Sequence, residues 1–262
     1  MNTLAINTVG AELAQTADFC RSENLGLEIT DLAFPQNLDA DPAPLIARHR
    51  KATSGIRPLS SHGPFFDLIA NSFDPLIVDV TRRRHQAALE ASHAIGATLY
   101  VAHTNFNPQI RGKAYREGFY RRMRDFWLPF ADWAAERSMI ICLENLWEPD
   151  ASIQAELVAT IAHPSLQASF DNGHALVFSR NSAAEWIQTL GAGLAHCHLH
   201  DNQGALDEHA IIGTGRENWP ELLHAAQTFA PQALLVIECD RMDKNLQSLE
   251  KIRSILTSAH DN

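Results

Sequence analysis

Cysteine is scarce in this chain. Cys20, Cys142, Cys197 and Cys239 are four among 262 residues, and no two stand in Cys-x-x-Cys spacing. A disulfide framework is therefore not the organising device, and a reduced, cytoplasmic setting is expected. Basic charge is also short: 21 Lys and Arg face 31 Asp and Glu, a net charge of −10 with histidine neutral. That deficit argues against a general polyanion binder, so nucleic acid is not an expected partner. No apolar run approaches the ~18 residues of a membrane span. The opening MNTLAINTVG has neither a basic n-region nor a long apolar h-region, so no signal peptide is expected. No glycine-rich dinucleotide fingerprint follows a strand-like run, and no Ser-His-Asp arrangement stands out.

Hydrophobic residues make up 45%, enough for a sizeable core, and strand-like runs alternate with helix-like segments throughout. The runs are 4–9, 25–30, 57–62, 97–103, 139–144, 166–171, the stretch opening at Leu194, and 233–238. Helices are expected over about 12–21, 44–52, 77–95, 113–136, 152–161, 182–190, 219–228 and 246–256. Eight β-then-α units read as an α/β fold, a single (β/α)8 TIM barrel occupying 1–262 as one domain. An open doubly wound sheet is the alternative, disfavoured by the count of eight and the missing fingerprint.

The thirteen histidines are the informative excess. In LAHCHLHDNQGALDEHAIIGTG, residues 194–215, alternation puts His196, His198 and His200 on one strand face and Ala195, Cys197 and Leu199 on the other. Imidazoles in such a position need either polar hydrogen-bonding partners or a divalent metal. Barrel chemistry sits at the C-terminal strand ends. His62, His103, Glu144, Asp171, His198 and Glu238 end the third to eighth strands. His103 shares a face with Val101, Glu144 with Cys142, and Glu238 with Val236. His174 either opens a helix or reaches the same site. Asp207 and His209 either lie in a solvated loop or fold back over the mouth. Glu28 reads as a hydrogen-bonding group at the barrel rim, and Cys239 has helix-facing parity. A mixed His and carboxylate set suits Mn, Zn, Co or Fe. Glu144 and Glu238, from the fifth and eighth strands, could flank a substrate and pass a proton across it.

These residues lie in SHGPF around His62, CLEN around Glu144, FDNGHA around Asp171 and His174, and HLHDNQG…DEHAIIGTG around His198, Asp207 and His209, with VIE ending in Glu238. The chain resembles the xylose isomerase-like TIM-barrel superfamily, which holds sugar phosphate isomerases/epimerases, ketose 3-epimerases and endonuclease IV. In the epimerase branch the resemblance implies one divalent metal on Glu144, Asp171, His198 and Glu238, with the two glutamates shuttling the proton. In the endonuclease IV branch it implies three zinc ions on the set of nine that adds His62, His103, His174, Asp207 and His209. NLWEPD after Glu144, with its bulky Trp147, is closer to the isomerase-like branch. Gly204 stands where ketose 3-epimerases carry an arginine.

The expected function is thus a metal-dependent isomerase/epimerase acting on a small sugar, sugar phosphate or polyol through an enediolate. One to three ions are expected, and homo-oligomerisation stays open. A multinuclear zinc phosphodiesterase is the first rival and a non-catalytic sugar-binding barrel the second. The loop from Gly63 to Pro75, carrying Phe65 and Phe66, is the expected lid.

Overall fold

A computed structural model describes residues 2–8 and 10–258. Val9, placed in the expected first strand, and the two ends of the 1–262 domain reading lie outside the described residues. Eight parallel strands close into a barrel in chain order. They are β1 Leu4–Thr8, β2 Gly26–Ile29, β3 Leu59–His62, β4 Leu99–His103, β5 Ile140–Glu144, β6 Leu166–Asp171, β7 Leu194–Leu199 and β8 Leu234–Ile237. Pairing of Leu4, Ala5 and Ile6 with Leu235, Val236 and Ile237 completes the ring. The helices are α1 Leu13–Glu23, α2 Ala43–Ala52, α3 Pro75–Ile95, α4 Lys113–Ala135, α5 Ala151–Ile161, α6 Asn172–Phe178, α7 Ala183–Leu190, α8 Trp219–Phe229 and α9 Met242–Ser258. No described helix is long and apolar enough to cross a membrane.

The main apolar core lies between strands and helices, where Phe119, Phe126 and Trp127 of α4 and Trp186 of α7 are buried with Tyr100, Ile141 and Phe170 from the strands. The barrel interior is separate. Ala5, Leu234 and Val236 form one small cluster and Val101, Cys142 and Ala195 another. Strand periodicity then sets the site. Two residues beyond Ser60, Val101, Cys142, Ser169, His196 and Val236 come His62, His103, Glu144, Asp171, His198 and Glu238. Each of these faces the C-terminal mouth because its predecessor faces the interior.

Three sequence expectations change. Ala168 pairs with Leu194 but Ser169 pairs with His196, so the register skips Ala195. This bulge places Ala195 inside with Val101 and Cys142, not on the helix-facing side with Cys197. Ahead of the helix expected at 182–190, NGHALVF adds a short helix of its own, α6, capped by the Asp171 side chain, which accepts from His174 N at 2.7 Å, so His174 both lies in a first helical turn and reaches the mouth. The third strand begins at Leu59, not Arg57, since Pro58 has no N–H to offer the ladder.

Candidate active site

Glu144, 1% exposed, is the hub of the mouth. Its Oε2 lies 3.3 Å from His62 Nε2 and 3.5 Å from His103 Nε2. Its Oε1 lies 3.0 Å from His198 Nδ1 and 3.7 Å from His174 Nδ1. The same His198 Nδ1 is 3.3 Å from Glu238 Oε2 and 3.8 Å from Asp171 Oδ2. His174 Nε2 and His209 Nε2 meet Asp207 Oδ2 at 3.3 and 3.1 Å, and His209 Nδ1 is 3.9 Å from Glu238 Oε2. The structure therefore brings all nine singled-out strand-end and loop residues into one connected cluster.

Asp207 and His209 reach it because the segment after β7 doubles back. Asp201 and Ala210 pair as an antiparallel bridge. The Asp201 carboxylate accepts from Gly213 N at 2.8 Å and Trp219 Nε1 at 2.9 Å, which fixes the return. Gly215 permits this close approach: a Cβ there would lie 2.2 Å from Asp201 Oδ1.

The histidine hydrogen bonds test whether a cation fits. His62 Nδ1 donates to Gly63 O at 2.7 Å, His174 Nδ1 to Asn145 O at 2.9 Å, and His209 Nδ1 to Glu238 O at 2.9 Å. His198 Nε2 donates to Glu28 Oε1 at 2.6 Å. In each ring the other nitrogen, left with its lone pair, faces carboxylate oxygens. Two acceptors turned toward each other require a positive charge between them, a proton or a metal ion. Imidazole and carboxylate donors together fit a borderline divalent ion. Three groups at the mouth bring ligand atoms within 4.8 Å of one another: Glu144–Asp171–His198, His62–His103–Glu144 and His200–His209–Glu238.

The titration shifts follow from the same packing. Burial would push the Glu144 carboxyl up, but the imidazoles of His198 and His103 outweigh it and hold it well below the usual range. Burial would lower His198, while Glu238, Glu28 and Glu144 raise it well above an ordinary histidine. His209 is pushed up to about 10, burial being outweighed by the Asp207 hydrogen bond and Glu238. His103 goes the other way, because desolvation exceeds its attraction to Glu144.

A cavity of about 450 Å³ opens over these residues, lined also by Asn7, Thr30, Phe34, Phe65 and Leu146 and, among the described residues, by no lysine or arginine. Phe65 packs on His62 and His103 with ring centroids at 5.3 and 4.9 Å. Phe66 lies outside Phe65 with ring centroids at 4.2 Å and the planes tilted by 39°, is 58% exposed, and borders an outer cavity of about 630 Å³ with Trp147 and Ile110. Of the two aromatic residues expected in a lid, Phe65 lines the inner cavity and Phe66 does not.

Sequence reasoning misplaced one contributor and left two others out of the site. Glu28 is not at the rim but fully buried inside the barrel, bonded to Ser60, His196 and His198. His200 carries its Nε2 to Asp171 Oδ2 at 3.2 Å and stacks on His209 at 4.0 Å. Asn145 clamps Asp171 through both its amide atoms, at 2.8 and 3.0 Å. The Asn that follows the strand-end Glu144 was the available signal for the last.

A closed eight-stranded barrel with a histidine–carboxylate mouth defines the class. The chain belongs to the xylose isomerase-like TIM barrel family, whose profile matches residues 16–257. An uncharacterised protein of Methanocaldococcus jannaschii, MJ1311, is 26% identical over 204 residues, which span 74% of this chain and 67% of that protein. Among solved structures, the TTHB071 protein of Thermus thermophilus, from crystals soaked with ZnCl2, superposes with a TM-score of 0.81 at 24% identity, covering 97% of this chain and 98% of that one. A D-tagatose 3-epimerase-like protein gives 0.76 at 22% identity, covering 99% and 98%. At these identities the structural likeness carries the fold.

Proposed function

We propose that the protein is a divalent-metal-dependent isomerase or epimerase acting on a small sugar or polyol-derived carbonyl compound. The observation that carries this reading is the convergence of Glu144 and Glu238 on one nitrogen of His198, at 3.0 and 3.3 Å, under a cavity sized for a small molecule. Glu144, Asp171, His198 and Glu238 would hold an ion of the Mn, Zn, Co or Fe type. When bound, that ion supplies Lewis-acid polarisation of a carbonyl and its neighbouring hydroxyl, which acidifies the C–H between them.

The chain's own residues would do the rest. One of Glu144 and Glu238 takes the proton from carbon and the other returns it, and their origin on β5 and β8 allows the two to face different sides of the substrate. The glutamate that takes the proton must be ionised, a state favoured for Glu144 by His198 and His103 against the pull of burial, while the one that returns it must carry a proton. His174 and Asp207 line the cavity within reach of substrate oxygens. Phe65 walls it against water. A lining without lysine or arginine among the described residues favours an uncharged substrate over a sugar phosphate.

The relative named for tagatose epimerisation supports this reading. One observation supports a second: nine converging donors exceed what a single four- to six-coordinate ion uses, as a multinuclear phosphodiesterase would require. Incubation with a ketose and polyol-ketone panel in D2O, followed by NMR, tests the first. Deuterium entering carbon next to a carbonyl is expected. Absence of exchange across the panel, with cleavage of abasic-site DNA and three tightly held zinc ions, would replace it by the second.

A further inference from the structure

Beneath the candidate ligands the barrel interior holds a carboxylate with no solvent exposure, Glu28. Its Oε1 accepts from His198 Nε2 at 2.6 Å. Its Oε2 accepts from His196 Nε2 at 2.9 Å and from Ser60 Oγ at 2.8 Å. His196 Nδ1 in turn accepts from Ser169 Oγ at 2.9 Å. Glu28, His196 and His198 are close enough to form an ion-binding group of their own. Yet every donor in this set already meets an acceptor, so the arrangement is complete as hydrogen bonds and requires no ion. The one atom of His198 left over is Nδ1, and it points at Glu144, Glu238 and Asp171.

We infer that Glu28 is a positioning residue for His198: by accepting the Nε2 proton it fixes the ring tautomer and leaves the Nδ1 lone pair to the ion at the mouth. This rests on the metal-dependent reading above. As a carboxylate, Glu28 accepts from two imidazoles and a hydroxyl at once. His196, itself satisfied by Ser169, holds the far oxygen of Glu28 so that the near one stays on His198. The distance in sequence is large, 170 residues between Glu28 and His198, so closure of the barrel is what creates the pair.

The test compares Glu28→Leu and Glu28→Gln with wild type, using Co²⁺ affinity and the visible d–d absorption of the cobalt protein. Leucine fills the space and accepts nothing, so affinity is expected to fall about 10–100-fold with an altered spectrum. Glutamine can still accept from His198 through its carbonyl oxygen while His196 reverses its tautomer against Ser169, so it should recover most of that loss. Wild-type affinity and spectrum in Glu28→Leu would overturn the inference, as would a glutamine variant no better than leucine. If Glu28→Leu does not fold, ¹⁵N-histidine NMR of the zinc-loaded wild-type protein decides. A protonated Nε2 on His198 is expected, and a proton on Nδ1 overturns the assignment. A wild-type chain that binds neither Co²⁺ nor Zn²⁺ overturns the metal-dependent reading itself, and this inference with it.

Discussion

Gly173→Ala sets two magnitudes against each other. Gly173 lies in the first turn of α6, between Asp171 and His174, and a helix-interior glycine replaced by alanine ordinarily stabilises by about 1 kcal/mol. Here the new Cβ would sit 1.9 Å from His200 Cε1 and 2.6 Å from each ring nitrogen. Carbon atoms in contact need about 3.5 Å, so ring or helix must give by about 1.5 Å. Neither retreats easily. The ring is fully buried, bonded to Asp171 and stacked on His209, while the Gly173 carbonyl accepts from Asn202 Nδ2 at 2.9 Å. Overpacking costs about 1–3 kcal/mol, and a displacement this large puts it at the upper end, so the clash outweighs the helix gain and a net loss of about 2 kcal/mol is expected. Because His200 steadies Asp171, ion affinity should fall as well. Urea unfolding and Co²⁺ titration of the variant measure both. A Gly173→Ala protein as stable as wild type, with unchanged cobalt affinity, would refute the account of this packing.

Glu238→Gln should abolish C–H exchange with solvent deuterium while leaving the circular dichroism spectrum unchanged; turnover near wild type would remove Glu238 from proton transfer. His103→Ala combined with His209→Ala should leave one tightly held ion on the four central residues and release the weaker flanking ones, as read by elemental analysis after gel filtration. Complete loss of metal would show that the flanking histidines hold the main ion. Away from the site, burial would raise Asp31, but hydrogen bonds from His49 and Gly10 and the nearby Arg48 outweigh it and lower its pKa. A depressed carboxylate contributes stability that is present above its unfolded value and lost as pH falls through the folded one. Asp31→Asn should therefore be less stable than wild type at neutral pH, with the difference shrinking below about pH 4; a pH-independent difference in urea midpoints would contradict this.

The barrel and its mouth were legible because both depend on a period of two. Val101 facing inward obliges His103 to do the same, and Cys142 obliges Glu144, whatever the rest of the chain does. Asp207 and His209 were open between loop and site, since their return depends on the Asp201–Ala210 bridge and the four-donor grip on Asp201, neither of which has a local pattern. Glu28 was misplaced for a different reason. Its meaning comes from Ser60 on the adjacent β3 and from His196 and His198 across the barrel on β7, and no single strand reveals which side chains the closed ring sets opposite one another. The bulge at Ala195 was invisible because small residues such as alanine are accepted on either face.

The candidate ligands His62, His103, Glu144, Asp171, His198 and Glu238 stand at the ends of six of the eight strands, and the support for His198 comes from a seventh, β2. No contiguous half of the chain therefore contains a whole site. A nascent chain released up to β6 has neither His198 nor Glu238, and one begun after β2 lacks the carboxylate that holds His198 in place. Partly made or partly unfolded copies would carry scattered histidines with little grip on metal. On the metal-dependent reading proposed above, ion capture would mark the finished ring, and divalent metal would go only to copies that have closed.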